Sequence, residues 1–169
     1  MDSPVYLLHA PPEGILYTLC ELTSQLAVHR FPQLPAPPLP ICVLSTFVIP
    51  PKPSEDIPPA AELIIAPASP SFDTTYLYAS NRNNPSPLGD TIAIFSLADP
   101  EQPKLVNEVH TGLKHMRGIE LGGREGRWLI AGGVQGGGVK VFERTDGGRG
   151  LTEVVHNAGV QKPTGFLWM

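Results

Sequence analysis

A recurring hydrophobic anchor in this 169-residue chain carries residues suited to acid–base and anion-binding chemistry at one fixed offset. Five residues beyond Leu16, Leu77 and Leu129 stand Glu21, Arg82 and Val134, the last followed by Gln135. His115 and Arg117 open the third of these units, where the first has Pro4 and a fourth has Thr164. Arginine presents a planar fork of donors to a carboxylate or phosphate, and a carboxylate or imidazole can move a proton or orient water. Glu21, Arg82 and His115 are therefore the candidate catalytic groups. Arg82, Arg117 and Gln135 are the candidate substrate-binding groups, for a small anionic, oxygen-rich molecule such as a carboxylate. A plainer reading stays open: each is a turn residue of a partly solvated channel, and Glu21 and Arg82 form a structural ion pair.

Other motifs carry less. The run Gly132–Gly138 resembles a phosphate-cradling loop, but no Lys-Ser/Thr follows it and no helix is expected after it, so it reads as a hairpin connection needing positive φ. Asp146-Gly147-Gly148 reads the same way. His9, His29, His110 and His156 lack ligand spacing, and Cys20 and Cys42 match no zinc site, so neither a metal nor a cofactor is indicated. No Gly-x-Ser-x-Gly elbow supports a serine hydrolase.

The elements that must position these residues repeat. Val5–Leu8, Leu16–Glu21 and Leu26–Phe31 recur as Glu62–Ile65, Tyr76–Ser80 and Thr91–Phe95, and again as Gly118–Leu121, Trp128–Ala131 and Gly138–Phe142. A turn-rich insertion, Asn84–Leu88, lengthens the second unit. Outer strands are expected at Ile41–Val48, Lys104–Val109 and Leu151–Val155. β-Branched and aromatic residues, period-two alternation and Gly/Pro/Asp punctuation favour strands. Four antiparallel strands at a repeat of roughly 50 residues are the signature of a β-propeller blade. The fold class is all-β, with blade units at about 4–49, 60–110 and 116–156, a further first strand at 163–169, and a Pro-rich insertion at 32–59. Rings need roughly four to eight blades to close, so the chain is expected to be part of a larger ring. Its exposed blade faces suggest self-association.

Composition narrows the classes. Twelve of the 20 prolines lie between Pro32 and Pro70 and fifteen of the 17 glycines lie from Gly112 onward, which excludes a long helical bundle. The net charge of −4 arises in the first 70 residues, where Arg30 and Lys52 face six acidic groups. No basic stripe is present, so nucleic acid is not an expected partner. Asp2 stands where a signal peptide would be basic, and no apolar run approaches the roughly 18 residues of a membrane span. A cytoplasmic protein without a membrane partner is expected.

Leu16–Ser24, Tyr76–Arg82, Asp90–Phe95 and Lys114–Gly118, with the terminal Pro163-Thr164-Gly165-Phe166, resemble the seven-bladed lactonase family, the 6-phosphogluconolactonase-like propellers, and within it the fungal carboxy-cis,cis-muconate cyclase branch. The resemblance spans nearly the whole chain outside the Pro-rich insertions and corresponds to roughly the C-terminal half of a member. It implies metal-independent hydrolysis of a sugar-acid lactone or lactonisation of a carboxymuconate at the channel mouth. Glu21 resembles the family's strand-end glutamate, Arg82 the arginine after Ser-Asn, and Arg117 the one opening the next blade. His115 lies near a family histidine, and Cys20 stands where asparagine is commoner. The family site also draws a histidine and an arginine from upstream blades. The alternatives are a non-catalytic propeller serving as an interaction platform, or an inactive truncated paralogue.

Overall fold

The computed structural model describes residues 4–10, 14–30, 37–51 and 56–169. Among these, twelve strands form three four-stranded antiparallel meanders. The first sheet contains β1 (Pro4–Ala10), β2 (Ile15–Cys20), β3 (Gln25–Arg30) and β4 (Leu39–Ser45). The second contains β5 (Ala60–Ala66), β6 (Tyr76–Asn81), β7 (Thr91–Ser96) and β8 (Lys104–His110). The third contains β9 (Lys114–Gly122), β10 (Trp128–Gly136), β11 (Gly138–Thr145) and β12 (Gly150–Asn157). The inner strands β1, β5 and β9 neighbour one another, as successive blades do around an axis. The fold is all-β and forms part of a β-propeller.

The middle sheet shows why its sequence reads as an almost continuous apolar run. Leu77, Ala79, Ala93 and Phe95 point to the first sheet and pack with Tyr17, Leu19, Leu26 and Val28. Their alternates Tyr78, Ile92 and Ile94 point to the third, against Leu129, Ala131 and Phe142. Both faces of a strand are covered only when sheets lie on both sides of it, so alternation between apolar and polar disappears from the sequence. Outer strands keep exposed positions, as Val43 and Val155 show.

Two outcomes differ from the sequence reading in detail. β4 begins at Leu39, with Pro40 opposite His29, and ends three residues before the expected Val48. An outer strand tolerates proline because the missing N–H would face away from the ladder. Val48 leaves the sheet and donates its N–H to Glu108 Oε2 at 3.0 Å, on β8. Residues 163–169, expected as a first strand, carry no ladder hydrogen bonds. They lie against β9 and β10: a Cβ on Gly132 would meet Phe166 and Pro163 at 2.7 Å, and one on Gly122 would collide with the Trp168 ring. Glycine at these two positions permits that approach. The Pro-rich stretch falls partly outside the described residues.

Candidate functional site

Antiparallel pairing puts the ends of β2, β6 and β10 and the starts of β5 and β9 on one rim. Two backbone bonds then fix the turns there, one between the first and second blades and one within the second. Ala60 N–H donates to Glu21 O at 3.0 Å, and Arg82 N–H donates to Pro59 O at 2.7 Å. With both turns anchored to the same two-residue segment, the Arg82 guanidinium reaches the Glu21 carboxylate and forms an ion pair, the two side chains being 13% and 28% exposed. The preceding residues hold the frame. Ser80 Oγ accepts from Glu62 N–H at 2.9 Å. Buried Asn81 has its Oδ1 2.7 Å from Thr46 Oγ1 and its Nδ2 3.3 Å from Thr46 O, tying the blades together beneath the ion pair.

His115 and Arg117 stand at the start of β9, the first half-buried and the second exposed. His115 Nδ1 lies 2.7 Å from Asn83 Oδ1. With the proton on Nδ1 the imidazole donates to that carbonyl oxygen, and Nε2 keeps its lone pair. Burial holds His115 below the usual histidine range, the charges of Arg82 and Arg117 push it further down, and Asp90 opposes them. The imidazole is thus neutral at neutral pH and basic at Nε2.

Asp90 was not singled out by sequence reasoning and is fully buried. Its Oδ1 accepts from Asn84 N–H at 2.9 Å and its Oδ2 from Met116 N–H at 2.7 Å. Burial raises its pKa, while those two bonds and the charges of Lys114 and His115 lower it. The repeat offered a signal. Thr46 N–H and Oγ1 meet Ser24 O, and Thr111 N–H and Oγ1 meet Asp90 O, so Asp90 occupies the second blade's version of Ser24. Ser24 Oγ likewise reaches forward, to Pro58 O at 2.5 Å.

The structure therefore brings Glu21, Arg82, His115 and Arg117 into one electrostatic neighbourhood. Gln135 lies on the same rim but is exposed and lines a separate hollow of about 260 Å³ with Gly133, Val160 and Lys162. The opposite rim holds a second arginine that the sequence did not flag. Arg144, 3% exposed, donates from Nε to Tyr78 Oη at 2.8 Å and from Nη1 to Gly126 O at 3.1 Å, and stacks 3.8 Å over the Phe72 ring. Among the described residues no group of three His, Cys, Asp or Glu side chains could hold a metal ion, and no helix is long and apolar enough to cross a membrane.

Three adjoining four-stranded meanders with an ionic cluster at one end of the blades define an arc of a propeller with its candidate site on one mouth. The sequence matches the family described as Lactonase, 7-bladed beta-propeller over residues 4–168, and the chain belongs to that family. Among solved structures it is similar to a candidate 6-phosphogluconolactonase from Bacteroides fragilis, with a TM-score of 0.77 at 20% identity, covering 97% of this chain and 41% of that one. A second candidate 6-phosphogluconolactonase, from Bacteroides uniformis, gives 0.75 at 22% identity, with 96% and 43% covered. The periplasmic gluconolactonase PpgL of Pseudomonas aeruginosa gives 0.74 at 15%, with 96% and 41% covered. The chain thus spans less than half the length of these propellers, and likeness at such identities establishes the fold. No curated protein sequence matches it significantly.

Proposed function

We propose that this rim acts on the ring ester of a sugar-acid lactone such as 6-phosphogluconolactone, hydrolysing it. The observation that carries the reading is the placement of a neutral imidazole beside the Glu21–Arg82 pair and the exposed Arg117. In the proposed step His115 Nε2 accepts a proton from water as the water oxygen bonds to the acyl carbon. The acyl–ring oxygen bond then breaks, and the same proton passes to the departing alkoxide. Arg82 faces the developing negative charge, Glu21 holds the guanidinium in place and orients the water, and Arg117 binds the substrate's remote phosphate or carboxylate. Lactonisation of a carboxymuconate would use the same cations on substrate carboxylates, one of which bonds to an alkene carbon as the neighbouring carbon gains a proton. Gln135 remains a proposed contact for an extended substrate. We place the protein in the cytoplasm, a reading supported by a sequence with only two cysteines and no spacing of a disulfide framework.

The direct test is proton release from 6-phosphogluconolactone and from carboxymuconolactone above the spontaneous rate. Turnover lost on replacing Glu21, Arg82 or Arg117 with Ala supports the reading. No turnover by the folded chain overturns it, and an interaction platform would tolerate all three substitutions.

A further inference from the structure

We infer that Asp90 is a positioning residue for this rim, bracing the Asn83–His115 pair from beneath. The inference rests on the proposed reading of the rim and adds to it a residue that touches no substrate. Asn83 and His115 are both in the left-handed region, at φ 59 and 56, which residues other than glycine seldom occupy. They come from different segments, the loop after β6 and the start of β9, yet their side chains meet at 2.7 Å. Two such residues keep their conformations only where the surrounding structure fixes the next peptide. Here one carboxylate does so for both. Asp90 Oδ1 accepts the N–H of Asn84, the residue after Asn83, and Oδ2 accepts the N–H of Met116, the residue after His115.

The alternatives at this position show why an acid is needed. Two N–H donors converge on one side chain from opposite sides, so both of its terminal atoms must be acceptors. An asparagine would turn an NH₂ toward one donor, and a serine, as at Ser24 in the first blade, supplies a single oxygen. Asp90 is itself fixed through its main chain: its N–H donates to Leu113 O at 2.9 Å and its carbonyl accepts from Thr111. The brace therefore joins the β6–β7 loop, the start of β7 and the lead-in to β9. The titratable groups around it are Lys114 and His115, with Arg82 and Arg117 acting on His115 and Glu21 holding Arg82. Lys114 Nζ is occupied by Ser86 O at 2.8 Å, which fastens the same loop from the other side.

The test combines NMR with binding of 6-phosphogluconate, the stable hydrolysis product, to the full chain. In the wild type the backbone amides of Asn84 and Met116 should titrate with one shared midpoint, that of the Asp90 carboxyl. Asp90→Asn should shift the His115 ring resonances and weaken 6-phosphogluconate binding about tenfold, while Asn83→Gly, which keeps the backbone free to stay left-handed, should shift the His115 ring without disturbing the Met116 amide. Separate midpoints for the two amides overturn the brace, and this measurement needs no variant to fold. A folded Asp90→Asn chain with unmoved His115 resonances and wild-type binding overturns it as well. If the wild type binds no 6-phosphogluconate while the amides titrate together and His115 responds to Asp90→Asn, the brace stands and the lactonase reading falls.

Discussion

Arg82 and Arg144 sit at opposite ends of neighbouring blade junctions, and their surroundings separate a site from a fastening. Arg82 faces a carboxylate on a partly open rim, with a neutral imidazole and a second guanidinium within electrostatic range. Arg144 is sealed against two aromatic rings, a tyrosine hydroxyl and two main-chain carbonyls, and among the described residues no carboxylate pairs with it. Its Nη2 is buried without a hydrogen-bond partner among them. A buried charge in that state raises the cost of removing any of its remaining partners. Beside it lies a hollow of about 610 Å³, larger than the one beside Gln135, lined by Phe72, Glu125 and Arg127. A hollow of about 730 Å³ lined by Phe47, Pro58, Asn84 and His110 opens on the Arg82 rim, so cavity size does not favour the Arg144 end, and the arrangement of charge is the better guide.

The comparison breaks most sharply at Arg144. Arg144→Ala removes its bonds to Tyr78, Glu125 and Gly126 and the stacking on Phe72, and should cost about 3 kcal/mol or more. For a chain of this size that is a fall of roughly 6–12 °C in Tm, read by thermal unfolding. 6-Phosphogluconate binding at the far rim should be unchanged at temperatures where the variant is folded. A stability loss under about 1 kcal/mol would show the sealed arginine to be dispensable, against the usual scale for buried hydrogen-bonded charges.

Next in size is the imidazole. His115→Gln should lower lactone turnover by about 10²-fold, the lower range for loss of a general base, or close to 3 kcal/mol of barrier. The wild-type rate should have an acid limb. His115 is held below its ordinary value, so the neutral base is lost only as pH falls beneath the usual histidine range. Stability follows the same sign: the unfolded chain takes up this proton first, so the contribution of neutral His115 is full above the unfolded value and declines as pH drops toward the folded one. An acid limb centred above the usual range would mean that another group is the base.

Smaller effects test the repeat. Tyr17 and Tyr78 occupy one register position, and each hydroxyl donates to a carbonyl in the next blade's outer loop, Pro100 O at 2.8 Å and Gly148 O at 2.6 Å. Tyr78 Oη also accepts from Arg144. Tyr78→Phe should therefore cost about 2 kcal/mol, measured by denaturant titration. A cost no greater than about 1 kcal/mol, that of one ordinary hydrogen bond, would mean that the contact to Arg144 adds nothing.

That shared register was legible in the sequence, as were the blade pattern and the rim offset of Glu21 and Arg82, because period-two strands of equal length leave countable intervals. Position 130 is Ile in the same register, so the third blade lacks this hydroxyl. Other features depended on neighbours far along the chain. Asp90 follows the Asn84–Leu88 insertion and reads as an ordinary turn acid until its two oxygens are seen meeting Asn84 and Met116. Arg144 reads as a solvent-facing strand-end charge, because Phe72 and Tyr78, which bury it, belong to another blade. Pro40 reads as a boundary just before the outer strand expected at Ile41–Val48, whereas the outer strand admits it and begins at Leu39. Gln135 lies one residue past the offset, and the register shifts between Gly132 and Gly136 take the end of β10 out of step with β9.

The smallest expected effect discriminates best between the two kinds of arginine. Arg117 is exposed, so Arg117→Gln should leave Tm within about 1–2 °C, as surface substitutions generally do. If it binds the remote anionic group of a substrate, affinity for 6-phosphogluconate should fall about threefold to tenfold, and affinity for gluconate, which lacks the phosphate, should hardly change. Added salt should narrow the difference, since an exposed charge is screened over about 8–10 Å at ordinary ionic strength. Equal loss for both ligands would place Arg117 at the ester rather than at the phosphate, and the roles proposed for Arg82 and Arg117 would then have to be exchanged.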